Sequence, residues 1–82
     1  MKVTVDCDVC RTKKSFLLEM QKVFEEMYGL NYDAFIDGAR GIEQDLEIEV
    51  LNFACFEDGQ NLAEIFKIIE EENRLIKFTV MR

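Results

Sequence analysis

Hydrophobic positions recur along this chain with two different periods. Near the start, Val3, Val5 and Cys7 alternate with polar residues, the period-two pattern of a strand with one buried face. Phe16, Met20, Val23, Phe24 and Met27 then fall at helical spacing and predict a helix that Gly29 stops. Asn31 is a good N-cap for a second, short helix that ends by Gly41. In "DLEIEVLNF", Leu46, Ile48 and Val50 alternate strictly with Asp45, Glu47 and Glu49, which predicts a second strand. The cluster "EDGQN" reads as a turn. Asn61 with Glu64 three residues later resembles a capping box, and Leu62, Ile65, Phe66 and Ile69 form the stripe of a third helix running to about Asn73. The closing "LIKFTVM" puts Ile76, Phe78 and Val80 on one face of a last strand.

Strands separated by helices imply a parallel sheet. Each strand has one apolar face, so the helices are expected on the same side, and right-handed crossovers on one side then give strand order 1-2-3. The expected fold is an α/β two-layer sandwich: a three-stranded parallel sheet with helices on one face. Its core should contain Val3, Val5, Phe16, Met20, Phe24, Ile48, Val50, Ile65, Phe66, Ile69, Phe78 and Val80. Lys2, Asp6, Glu47, Glu49 and Lys77 would give the open face mixed charge.

Length and charge narrow the function. The chain has 82 residues, which predicts one domain over 1–82. Seventeen acidic against ten basic residues give a net charge of −7. That argues against nucleic-acid binding and anionic membranes, and it fits a basic protein partner. No leader or spanning segment is evident, so the expected location is the cytoplasm, with three reduced cysteines.

Candidate chemistry is sparse. There is no histidine, which removes the commonest general base and zinc ligand. No cofactor or metal site is expected. "CDVC" places Cys7 and Cys10 between a strand and a helix, as thiol redox motifs do, and the redox alternative requires a lowered pKa at Cys10. The competing reading makes Cys7 a small core residue. Glu70, Glu71 and Glu72 close the third helix at the end where its dipole disfavours them. They read either as a solvated face, relieved by Glu70 pairing with Arg74, or as a patch for a partner. Asp33 sits in the first turn of the second helix, where the dipole favours it. Asp37 lies beyond that turn on the same face and is expected to project to solvent without a cationic partner in the chain.

The segment "YGLNYDAFID" resembles the Y-G-x-N-x-D-A-x-x-D signature of the barstar-like family, intracellular inhibitors of secreted bacterial ribonucleases such as barnase. Tyr28, Gly29, Asn31, Asp33, Ala34 and Asp37 match it. The resemblance extends over nearly the whole chain in element order, length and acidity, and the family fold has the same sheet order. It implies a non-enzymatic, cytoplasmic inhibitor, expected as a monomer when free, that blocks the active site of a small basic ribonuclease. Asp33 and Asp37 would stand in for RNA phosphates against arginines and lysines. The implied partner-binding residues are Tyr28, Gly29, Asn31, Asp33, Ile36, Asp37, Arg40, Glu70 and Glu71. A family tryptophan falls at Ile36, a tyrosine at Met27 and a threonine at Arg40. The family's last-helix glutamate falls at Ile68, leaving Glu70 to Glu72 as its replacements. The other readings are a barstar-like interaction module with a different partner, or a thiol redox protein.

Overall fold

A computed structural model describes all 82 residues. Strand β1 spans Lys2–Asp6, helix α1 Lys13–Gln21, helix α2 Tyr32–Arg40, strand β2 Leu46–Leu51, a 3-10 turn Phe53–Cys55, helix α3 Gly59–Glu72 and strand β3 Ile76–Val80. The three strands form one sheet in order β1-β2-β3, and both pairings are parallel. Val3 lies opposite Ile48, and Ile48 opposite Phe78, so the apolar positions line up in rows. Those rows join the helices' inner residues in one core of twenty buried side chains. The polar rows face away: Lys2 pairs with Glu49 at 3.4 Å, and the Thr79 hydroxyl donates to Glu47 at 2.9 Å.

Aromatic rings dominate the core. Phe66 stacks on Phe78 with centroids 4.0 Å apart, and Phe35 packs edge-on to both. Phe53 and Phe56, which the periodicity did not assign to the core, are also buried. They belong to the 3-10 turn and its exit. Asn52 breaks the strand there with a left-handed backbone, φ 53°, which asparagine tolerates better than most residues.

Several expectations need correction. The first helix ends at Gln21, not at Gly29. Beyond it the chain continues in tight turns, with Val23 N–H donating to Met20 O at 3.0 Å and Met27 N–H to Phe24 O at 3.3 Å. Those turns still bury Phe24 and Met27, so the apolar spacing outlasts the helix that it resembles. Val3 is only half-buried and Val80 is 41% exposed. Both lie on edge strands, which have a neighbour on one side only. Ile65 is half-buried because it flanks the α3 stripe centred on Leu62, Phe66 and Ile69. Helix α3 begins at Gly59 with Asp58 at its N-cap, so Asn61 is not the cap; its side-chain amide donates to Asp58 Oδ1 at 2.9 Å instead.

Candidate functional site

Helix α2 is held by both of its ends and by its inner face. At the start, Asn31 Oδ1 accepts the Ala34 N–H at 2.8 Å, as an N-cap should. Gly29 lies against this cap: a Cβ there would meet Asn31 Nδ2 at 3.0 Å. Tyr32 then ties α2 to the start of α3, its hydroxyl donating to Asp58 Oδ2 at 2.8 Å. Burial, followed by this bond to a carboxylate, pushes the phenol pKa well above its ordinary value. At the far end, the Asn73 amide donates to Ala39 O at 2.9 Å and to Ile42 O at 3.0 Å, which draws the ends of α2 and α3 together.

The inner face of α2 is Phe35, Gly38 and Ala39. A Cβ on Gly38 would meet Met27 Cβ at 3.0 Å, Phe24 Cβ at 3.2 Å and Met27 Cα at 3.3 Å. Only a residue without a side chain lets α2 come so close to the 24–27 turns. This glycine positions the helix, yet the resemblance to a known signature did not single it out.

Asp33, Asp37 and Arg40 are exposed on the other side, with Tyr28, 88% exposed, just ahead of them. Asp33 occupies the first turn and makes no ion pair. Asp37 does not stand free as expected. Arg40 Nη1 donates to Asp37 Oδ1 at 2.7 Å, while Arg40 Nε and Nη2 each donate to a Glu72 oxygen at 3.0 Å. The Glu72 bonds raise the arginine pKa further, and the same bonds hold the Glu72 carboxyl below its ordinary value. Arg40 lies in the last turn of α2, where a cation suits the dipole. It also relieves Glu72 at the unfavourable end of α3.

The remaining acids of α3 divide. Glu70 is half-buried and does not pair with Arg74; its Oε2 accepts the Phe78 N–H at 2.9 Å, satisfying an outward-facing amide of edge strand β3. Glu71 is exposed without an ion pair. Ile36 is half-buried and packs against the core, whereas Ile68 is exposed. The structure therefore gathers Tyr28, Asp33, Asp37 and Arg40 with α2, and adds Glu72 through Arg40. Glu70 is committed to the sheet edge.

The thiols lie elsewhere. Cys7 and Cys10 are buried and Cys55 is exposed, all three reduced. Burial, reinforced by Cys10, pushes the Cys7 thiol up to about 11. Burial followed by Glu19 also raises Cys10, the opposite of the lowered pKa that the redox alternative required. Cys7 is the core residue that alternation predicts. No set of three or more histidine, cysteine or acidic side chains is arranged to hold a metal, and no helix is long and apolar enough to cross a membrane.

Comparison with known families matches residues 1–81 to Barstar (barnase inhibitor). None of the curated proteins compared matches the chain.

Proposed function

The chain belongs to the barstar family, and on that premise we propose that it is a cytoplasmic protein inhibitor, not an enzyme, that blocks the active site of a small basic ribonuclease with the outer face of α2. One observation carries this reading: a core-anchored, capped helix presents Asp33 and Asp37 outward from a protein of net charge −7. Paired carboxylates offer guanidinium and ammonium groups the acceptors that RNA phosphates would offer. The acidic surface would speed encounter with a basic enzyme. Tyr28 supplies an exposed aromatic ring beside them, Glu71 a further open carboxylate, and Ile36 the half-buried apolar floor. The free protein is proposed to be a monomer, with no nucleic-acid or membrane partner.

The test is inhibition. The chain is titrated into barnase and other small basic ribonucleases while RNA cleavage is followed. Stoichiometric inhibition is expected with at least one, and loss of inhibition in Asp37→Ala. That substitution should weaken binding by at least about 2 kcal/mol, the general hot-spot threshold rather than a value from the barnase–barstar pair that is its known example. Stability should change by no more than about 0.5 kcal/mol, because the side chain is exposed. A large fall in melting temperature with unchanged inhibition would make Asp37 structural. A second reading, an interaction module for another partner, draws on Arg40 and Ile36, which stand where the resemblance implies threonine and tryptophan.

A further inference from the structure

The two edges of the sheet are finished differently. Along β3, Leu46 N–H donates to Leu75 O and Met81 N–H to Val50 O, so odd-numbered residues turn their amide groups to β2 and even-numbered ones turn outward. Two of the outward N–H groups are taken within the chain, Ile76 by Asn73 O at 3.2 Å and Phe78 by Glu70 Oε2 at 2.9 Å. Along β1, Glu47 N–H donates to Met1 O and Cys7 N–H to Leu51 O, so Lys2, Thr4 and Asp6 are the residues that turn outward. Their N–H groups have no partner in the chain. The sheet is closed at the middle of β3 and open along β1.

We infer that β1 is a self-complementary edge, which pairs antiparallel with β1 of a second copy of the chain about Thr4. The strand reads Lys-Val-Thr-Val-Asp. Antiparallel pairing about its middle residue sets Lys2 opposite Asp6 of the second copy, Thr4 opposite Thr4, and Asp6 opposite Lys2. Opposite charges and threonine pairs are both favourable directly across strands. In the pair, Thr4 exchanges both backbone bonds with its counterpart, and each Asp6 N–H donates to Lys2 O. The Asp6 carbonyl already accepts the Val9 and Cys10 N–H groups and takes no third. Asp6 Oδ1 holds the Asp8 N–H and the Asn52 amide, which leaves Oδ2 for the ammonium. The Lys2 ammonium has donors for Glu49, 3.4 Å away, and for Asp6 of the second copy together. Such a contact is isologous and closes at two copies. Glu70 and Asn73 block β3, so the paired sheet has no comparable edge on which to grow into a fibre. The contact is weak, because a five-residue edge falls below the roughly 1,200 Å² of a stable complex and each copy carries a net charge of −7. In dilute solution the chain is the monomer proposed above; the pair forms as concentration rises.

Sedimentation equilibrium of the whole chain tests this at about 0.15 M salt, where net-charge repulsion is screened. A monomer–dimer equilibrium is expected with Kd on the order of 0.1–1 mM and no larger species, so the series runs up to about 2 mM. Amide exchange at Thr4 and Asp6 should slow as concentration rises. Exchange at Val80, the outward N–H left open on β3, should not. Lys2→Asp sets like charges opposite each other at both ends of the contact and should weaken pairing at least about tenfold. Lys77→Asp makes the same change in net charge on β3 and should leave it within about threefold. Asp6→Asn keeps an acceptor for the Asp8 N–H, removes the attraction to Lys2 and should weaken pairing by less than Lys2→Asp does. A chain that stays monomeric at the highest concentration would overturn the inference. So would equal losses in Lys2→Asp and Lys77→Asp, or a dimer that slows exchange at Val80 and not at Thr4.

Discussion

The two faces of α2 share nine residues and are held in different ways. Inward, Phe35 is fully buried among Phe16, Phe24, Phe66 and Phe78, and Gly38 leaves no room for a Cβ against the 24–27 turns. Outward, beyond the Tyr32 hydroxyl bond to Asp58 at the helix start, the charged side chains are held by the ion pairs that Arg40 makes with Asp37 and Glu72. Packing tolerates little displacement, because a core at crystal-like density has no room for it. Exposed ion pairs exchange partners at small cost, because water and salt screen them. The contrast separates two roles: packing on the inner face fixes where α2 sits, and the exposed outer pairs set only the local partners of its charged side chains.

The sharpest way to break the contrast is to remove its inner side. Phe35→Ala deletes a ring that touches four others and should cost about 3–5 kcal/mol. In an 82-residue domain that is a large share of total stability. Urea unfolding should show a greatly lowered midpoint or no folded baseline. A loss under 1 kcal/mol would mean that α2 is not anchored by this residue. Gly38→Ala is a finer cut. Alanine favours an isolated helix over glycine by up to about 1 kcal/mol. Here the new methyl meets Met27 Cβ and Cα and Phe24 Cβ, none of which is the flexible end of a side chain. Overpacking of this kind costs about 1–3 kcal/mol, so the net effect should be destabilising. A stabilised Gly38→Ala protein would show that the 24–27 turns yield easily.

How much of this was legible beforehand follows from the range of each interaction. The sheet order could be read because strict alternation in Leu46 to Val50 declares one wet face, and three one-faced strands leave few topologies. The start of α2 could be read because an N-cap is local: Asn31 and Ala34 are three residues apart. The end of α1 could not, since Phe24 and Met27 keep helical spacing whether the backbone is helix or turn. The partners of Arg40, Glu70 and Tyr32 were also hidden. Arg40 and Glu72 are 32 positions apart, and Tyr32 and Asp58 are 26 apart. Periodicity carries no signal across such gaps; only the packed fold brings those groups together. For the same reason the sequence leaves Asp37 free and offers Glu70 only the nearby Arg74, whereas the fold gives them Arg40 and the Phe78 N–H.

Asn31→Ala sharpens the comparison at the boundary between the two faces. Loss of the bond from Ala34 N–H should cost about 1 kcal/mol, within the range of roughly 0.5–2 kcal/mol for such caps. Fraying of the first turn would loosen Asp33 and leave Asp37 in place. Amide exchange should therefore quicken in the first turn, at Asp33 and Ala34, without quickening at Ala39 and Arg40. Uniform quickening along α2 would mean that the cap holds the whole helix.

The smallest effect is electrostatic, and its sign can be worked out. The Glu72 carboxyl is held below its ordinary value of 4.5, chiefly by the Arg40 hydrogen bonds and against a smaller opposing effect of burial. A carboxyl with a lower pKa in the folded state than in the unfolded chain binds fewer protons when folded. Its stabilising contribution is therefore present above the unfolded value and is lost as pH falls through the folded one. Arg40 stays charged throughout, so protonation of Glu72 alone dissolves the pair. Because both groups are exposed, the loss should be shallow. Melting temperatures of the wild-type chain and Glu72→Gln should differ modestly at neutral pH and converge as pH falls through the folded value of Glu72, since the variant has no carboxyl there to protonate. Raising the salt to about 0.5 M should shrink the neutral-pH difference, because the pair lies in solvent. Parallel pH profiles for the two proteins would mean that the Arg40–Glu72 bonds contribute nothing to folding.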